Sequence, residues 1–297
     1  MKMKINVSRD FVTELLKDMI YPELCPICGD AIPIADRAAY HKAWERMQHF
    51  RKRCNSSGLR QKEIYLIGGL TAEEGSFRQE LSMLYDGLIC PGCQKELKLI
   101  GENCCEKCGK RISDGSSLCS DCKQHDRSFV QCRSLMDYDE RMRDIMADIK
   151  YNSKREYLSL FALITADRLG KWIAEKQIDY IIPVPVHESR LRKRGYNQSE
   201  ILCEDIGLYL GIPVRKDIIA RNKKTVAQKE LNAGERLLNL QQAFAVHKKL
   251  PYGCNVLVVD DIYTTGSTME CCSSCLMRAG AGRVFGISIC SGEDKKA

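Results

Sequence analysis

No stretch of this chain approaches the run of about eighteen apolar residues that a membrane-spanning helix needs, and residues 1–11 carry no apolar segment of the secretory kind. No membrane span is expected, and the cytoplasm is the expected compartment. A strong charge of one sign is also missing. The 46 Lys and Arg against 39 Asp and Glu leave a net +7 over 297 residues, which permits contact with anionic ligands or nucleic acid but proves neither. The length leaves room for about two domains, and a C-terminal half of ordinary size buries an apolar core without staples.

Cysteine, by contrast, is abundant: there are 17. In a chain with no secretion signal, thiols stay reduced, so their clustering points to metal rather than to a disulfide framework. Four Cys-x-x-Cys pairs occur in the first half: Cys25/Cys28, Cys90/Cys93, Cys105/Cys108 and Cys119/Cys122. Each pair places two sulfurs on one side of a tight knuckle. Two knuckles close a tetrahedral zinc site that has no open position and is therefore structural. The spacing joins Cys105/Cys108 to Cys119/Cys122, which by elimination leaves Cys25/Cys28 with Cys90/Cys93 across a long insertion. Cys104 sits beside a ligand and offers an alternative spacing. Cys271, Cys272 and Cys275 fall on an expected helix over 268–279 and read as small buried apolar residues.

The segment 256–268 carries the most chemistry. Val256, Leu257, Val258 and Val259 form a continuous apolar run of the kind that fills the middle of a parallel sheet. Asp260 and Asp261 follow, at the strand end where open α/β sheets bind ligands, and such a pair grips a diol or a cation. Thr264, Thr265, Gly266, Ser267 and Thr268 then supply hydroxyls, backbone N–H groups and one residue free to take positive φ at a helix start, which stabilises an anion. The loop has neither the Gly-x-x-x-x-Gly-Lys-Ser/Thr run of a P-loop nor the three glycines of a dinucleotide turn, so a phosphate monoester is expected. The bland reading is an Asp-Asp turn with a hydroxyl N-cap.

Taken whole, the segment resembles the phosphoribosyl pyrophosphate (PRPP) motif of type I phosphoribosyltransferases. That resemblance implies that Asp260 and Asp261, the catalytic pair, hold the ribose hydroxyls, and that Thr264, Thr265, Gly266, Ser267 and Thr268 hold the 5′-phosphate. Upstream, residues 181–198 repeat the logic: an apolar strand, prolines at its end, and a basic loop in which Arg190, Arg192, Lys193 and Arg194 suit a pyrophosphate, or else form a solvated charge run. The Pro-Val-Pro of this segment and its Arg-Gly-Tyr-Asn-Gln resemble the ComF (ComFC) family. Arg221, Thr225, Gln228, Leu231, Glu235, Arg236, Asn239 and Phe244 fall at that family's spacing. In this polar stretch Arg221, Gln228 and Arg236 would belong to a mobile lid.

The resemblance also implies the opening double zinc ribbon, with one departure. The insertion at about 29–89 is much longer than the family's usual link. It contains helical stretches around 39–52 and 77–85. In the first of them Tyr40, His41, Trp44, His49 and Phe50 run into Arg51, Lys52 and Arg53, as in stacking platforms for single-stranded nucleic acid, although helical spacing more often marks a packing face. A capped helix over 8–20 is expected to pack on the ribbon.

Beyond about residue 127, strand and helix patterns alternate: a strand at 134–138, helices to 151 and over 157–175, a strand to 186, a helix over 199–210, and strands near 212, 255 and 284. The Lys150-Tyr151 pair that closes the first of these helices also resembles the ComF family; Lys150 reads as a solvated lysine, the alternative being a role at the site. The expected fold class is α/β: a type I phosphoribosyltransferase-like parallel sheet with helices on both faces over 127–297, preceded by a small Cys-rich double zinc-ribbon domain over 1–126.

The resemblance implies a PRPP-binding protein acting in natural competence, handling single-stranded DNA beside the DNA-uptake machinery. As an enzyme it would be a phosphoribosyltransferase in which a nitrogen nucleophile displaces pyrophosphate with help from magnesium. Two other classes stay open: a metabolic phosphoribosyltransferase of nucleobase salvage or nucleotide synthesis, and a non-catalytic zinc-ribbon nucleic-acid-binding module.

Overall fold

In a computed structural model the apolar run Val256 to Val259 lies inside a parallel sheet, fully buried, as its composition demands. The structure describes residues 24–32, several positions between 38 and 52, 88–96, 98–221 and 243–294. Two short helices come first, α1 (Pro91–Glu96) and α2 (Ser120–Gln124). The α/β part then runs β1 (Gln131–Asp137), α3 (Glu140–Tyr151), α4 (Tyr157–Glu175), β2 (Tyr180–Pro183), α5 (Glu188–Arg194) and α6 (Gln198–Leu210). It continues through β3 (Ile219–Arg221), β4 (Phe244–Val246), β5 (Asn255–Tyr263), α7 (Ser267–Ala279) and β6 (Arg283–Ser291).

Four strands pair in the order β1-β6-β5-β2, every pair parallel, with Val256 opposite Val284 and Pro183 opposite Val259. Successive side chains along β5 point to opposite faces. Leu257 and Val259 therefore pack with Phe161 and Leu163 of α4 and with Leu202 and Ile206 of α6. Val256 and Val258 pack with Met269, Cys272 and Leu276 of α7. Each such buried side chain stabilises the fold by about 2 kcal/mol. Helices thus cover both faces, as a parallel sheet requires.

Three local expectations change. Near residue 212 there is a parallel bridge, Ile181 to Val214, in which Ile181 N–H donates to Pro213 O at 3.0 Å and Arg215 N–H donates back to Ile181 O at 2.9 Å. The basic segment 188–194 is a helix, not a loop: the His187 ring nitrogen accepts from Ser189 N–H at 3.1 Å, and Gly195 ends the helix at φ 81°. Arg221 and Phe244 pair directly in an antiparallel two-stranded sheet, β3 with β4, instead of belonging to the lid. The lid residues between them, Gln228 and Arg236 included, lie outside the described residues. So do the expected helices at 8–20 and 77–85, and Tyr40, Trp44, His49 and Phe50 of the insertion.

The Cys-rich segment covers the outer edge of β1. Leu99 bridges Met136, Ile100 N–H donates to Leu135 O at 2.9 Å, and Cys132 N–H donates to Lys107 O at 2.7 Å. This use of an otherwise open edge removes a pairing hazard. The expected boundary near 126/127 falls in the connection between α2 and β1. Among the described residues no helix is long and apolar enough to cross a membrane.

Docking is tightest at Gly109, where φ is 75° and a Cβ would stand 2.7 Å from Arg133 Cα. Gly109→Ala combines left-handed strain with a backbone collision. It should cost about 2 kcal/mol or more in urea unfolding, whereas Gly115→Ala, also at positive φ but with open space around it, should cost less.

Candidate functional site

Two four-cysteine clusters form, Cys25, Cys28, Cys90 and Cys93 in one and Cys105, Cys108, Cys119 and Cys122 in the other, with the four sulfurs of each within 4.8 Å of one another. The pairing expected from spacing holds, including the closure across the insertion. Gly29 and Gly109 follow the first knuckle of each cluster at φ 74° and 75°, which lets the chain turn back. Cys90 N–H points at Cys25 Sγ at 3.4 Å and Cys108 N–H at Cys105 Sγ at 3.5 Å, contacts that favour thiolate. Four soft sulfurs with no further ligand fit structural zinc. Cys104 stays outside both clusters, and Cys271, Cys272 and Cys275 are buried beneath α7 as apolar filling.

At the carboxyl end of β5, Asp260 and Asp261 are half-buried, one residue apart. Asp260 Oδ1 accepts from Asp261 N–H at 2.9 Å and from Ser199 Oγ at 3.4 Å, at the start of α6. Asp261 Oδ2 pairs with Lys150 Nζ at 2.7 Å, both side chains being mostly buried. Burial, and then the charge of Asp261, push the Asp260 carboxyl up from 3.8 to about 7. Lys150 is thus no solvated helix end. Docking of α3 against the sheet brings it into the site.

The hydroxyl loop follows at once. Gly266 takes φ 76° and caps α7, and a Cβ there would collide with Tyr263 Oη. Thr264 and Thr265 are exposed, and Thr265 Oγ1 lies 2.9 Å from Ser267 Oγ. Ser267 and Thr268 open the 13-residue helix α7, whose first N–H groups have no acceptor within the helix.

The four cations of α5 do not converge on one point. Arg192 pairs with Glu188 at 2.5 Å on the surface, where such a pair contributes little. Lys193 and Arg194 lie over the ring of Tyr151, 5.7 and 5.4 Å from its centroid. Arg190 alone approaches Arg221, whose pKa burial lowers first and the Arg190 charge second. Arg221 in turn lies over Phe244, 5.3 Å from its centroid.

Comparison with known proteins gives these features a family. Residues 82–123 match the model of the double zinc ribbon domain. Competence protein F of Haemophilus influenzae is 32% identical over 214 residues, covering 70% of this chain and 91% of that protein. The chain belongs to the ComF family. Competence protein ComFC of Bacillus subtilis is 27% identical over 229 residues, covering 75% of this chain and 92% of its own. DNA utilization protein YhgH of Escherichia coli K12 is 28% identical over 200 residues, covering 66% and 87%. Among solved structures, an adenine phosphoribosyltransferase superposes at TM-score 0.31 and 17% identity, covering 49% of this chain and 75% of that one.

The Arg-Gly-Tyr-Asn-Gln run of this ComF protein is a structural lock. Gly195 ends α5, and Tyr196 Oη donates to Ile149 O at the end of α3. Asn197, buried, caps α6 and donates to Val184 O at 3.1 Å, just past β2. Gln198 accepts from Arg194 at 3.2 Å, and its buried Nε2 has no partner among the described residues. The run therefore fixes the basic helix, α3 and α6 around the ends of β2 and β5.

Sequence reasoning missed a second set of contacts, those that the ribbon and the connection after it make around the hydroxyl loop. Arg127 donates to Thr265 O at 2.9 Å, and Ser128 N–H donates to Glu270 in the first turn of α7 at 2.7 Å. Buried Lys110 pairs with Asp121 at 2.6 Å and lies 5.9 Å from the centre of the Tyr263 ring beneath Gly266. No short-range motif marks these partners, which are far apart in sequence.

Elemental analysis of the purified chain should return two zinc ions per molecule, and Cys105→Ser/Cys108→Ser should reduce this to one. A full complement retained by that variant would refute the cluster assignment.

Proposed function

We propose that this ComF-family protein binds PRPP with magnesium and acts in natural competence, where it handles single-stranded DNA with components of the uptake machinery. The observation that carries the sugar-phosphate half is the direct succession of Asp260, Asp261 and the Gly266-centred loop at one strand end, with Lys150 paired to Asp261. The names of the Haemophilus, Bacillus and Escherichia relatives support the competence and DNA half.

In this reading the ribose 2′- and 3′-hydroxyls donate to Asp260 and Asp261. The 5′-phosphate accepts from the N–H groups that open α7 and from the hydroxyls of Thr264, Thr265, Ser267 and Thr268. The pyrophosphate extends toward α5, with Arg190 the cation best placed to take its charge. Hard carboxylate oxygens at Asp260 and Asp261 suit magnesium, which would neutralise pyrophosphate charge when bound. As a phosphoribosyltransferase, the protein would join the anomeric carbon to a nitrogen nucleophile. The bond to pyrophosphate breaks, and the leaving group carries away the electron pair. Asp261, held by Lys150, would fix the ring, and the α5 cations would stabilise the departing charge.

Calorimetric titration of PRPP and magnesium into the zinc-loaded chain tests this reading. Micromolar binding is expected, weakened by more than about a hundredfold in Asp260→Asn/Asp261→Asn, which removes two charge-assisted contacts. The sign of the pH dependence follows from Asp260: its carboxyl is raised in the free protein, and a bound diol and cation favour the ionised form. Affinity should therefore rise from pH 6 to pH 8 and level off above about 7. Absence of binding by the wild-type chain would refute the sugar-phosphate site.

A further inference from the structure

Tyr151 stands apart from the other large hydrophobic side chains at this end of the sheet. It is 62% exposed, while neighbouring Ile149 and Tyr157 are buried. It ends α3, one residue after the Lys150 that pairs with Asp261, so it lies at the rim of the candidate ribose site. Lys193 and Arg194 reach its ring from a single helix, α5, and the large exposed fraction leaves ring surface open to solvent. The same helix α5 also carries Arg190, Arg192 and the 40% exposed Leu191. The only acidic residue on that helix, Glu188, is already paired with Arg192.

An exposed aromatic ring held by cations and bordered by further cations has the chemistry of a single-strand binding surface. The ring takes a base by stacking, the guanidinium extends the planar platform, and the ammonium and arginine groups take the flanking phosphates. The exposed ring beside the cations favours a base-bearing polyanion, because stacking uses the ring face while the phosphates take the charge. The free electrostatic cost of leaving these cations close together also falls when a polyanion lies across them.

We propose that Tyr151, with Lys193 and Arg194, forms a base-stacking platform for single-stranded DNA at the rim of the Asp260/Asp261 site. The proposal rests on the DNA-handling half of the proposed function and not on PRPP binding. It assigns the DNA contact to the α/β part of the chain, apart from the zinc ribbons and the insertion. It also gives Lys193 and Arg194 a ligand other than pyrophosphate.

The test is fluorescence anisotropy of a labelled oligothymidylate with the full-length, zinc-loaded protein. A matched abasic oligomer serves as control. Tyr151→Ala should weaken oligothymidylate binding about tenfold, and Tyr151→Trp should retain wild-type affinity. The abasic oligomer should bind wild type and Tyr151→Ala alike. Because the tyrosine is uncharged, Tyr151→Ala should leave the slope of log affinity against log salt unchanged, while Lys193→Gln should reduce it by about 0.7. PRPP titration of Tyr151→Ala should match wild type. Oligothymidylate affinity of Tyr151→Ala within about twofold of wild type would overturn the platform alone, given the expected size of one stacking contact. Failure of the wild type to bind any oligomer would overturn the platform and the DNA-handling reading together. DNA binding without PRPP binding would sink only the sugar-phosphate site.

Discussion

Two carboxylates one residue apart at the half-buried end of β5 repel each other, and much of the structure around them exists in relation to that repulsion. Lys150 arrives from the end of α3 to neutralise Asp261, while Ser199 and a backbone N–H stabilise Asp260. Even so, Asp260 retains a raised pKa, because one lysine does not compensate burial and a neighbouring charge together. Burial and like charge raise a carboxyl in this way, and hydrogen-bond donors or added positive charge relieve it. The surrounding lock serves the same arrangement. Tyr196 ties α5 to α3, and Asn197 ties α6 to the end of β2, so the elements bearing Lys150, Ser199 and the cations move as one body.

The ribbon belongs to this arrangement as well. Its second four-cysteine knuckle seats Gly109 on the backbone of β1, places Lys110 against the ring of Tyr263, and is followed by Arg127, which grips the carbonyl of Thr265. The hydroxyl loop is therefore braced from the ribbon side, while the carboxylates before it are braced from the α3 side. In a chain whose apolar core is split over two sheet faces, closed four-sulfur sites give the small Cys-rich segment a rigidity that its few buried side chains do not supply.

What the sequence disclosed follows from the range of the interactions concerned. The β5 run, the acid pair, the glycine of the loop and the Cys-x-x-Cys spacings are local, and each was legible because covalent spacing alone brings its members together. The helix α5 was also legible in principle: Glu188 and Arg192 stand four apart, and Gly195 ends the segment, but the density of charge suggested a loop. Lys150 was not legible, since a lysine closing an amphipathic helix has the same local pattern whether it meets solvent or a carboxylate. Nor were the β3–β4 pair or the ribbon contacts to Thr265 and Glu270, whose partners are brought together only by tertiary docking.

The most direct measurement is a crystal structure of the full-length protein grown with PRPP and magnesium. The expected result is density for the ribose with its hydroxyls within hydrogen-bond distance of Asp260 and Asp261, and for the 5′-phosphate at the N–H groups that open α7. PRPP bound elsewhere on the molecule, or crystals grown in its presence that contain none, would contradict the assignment of this strand end as a sugar-phosphate site.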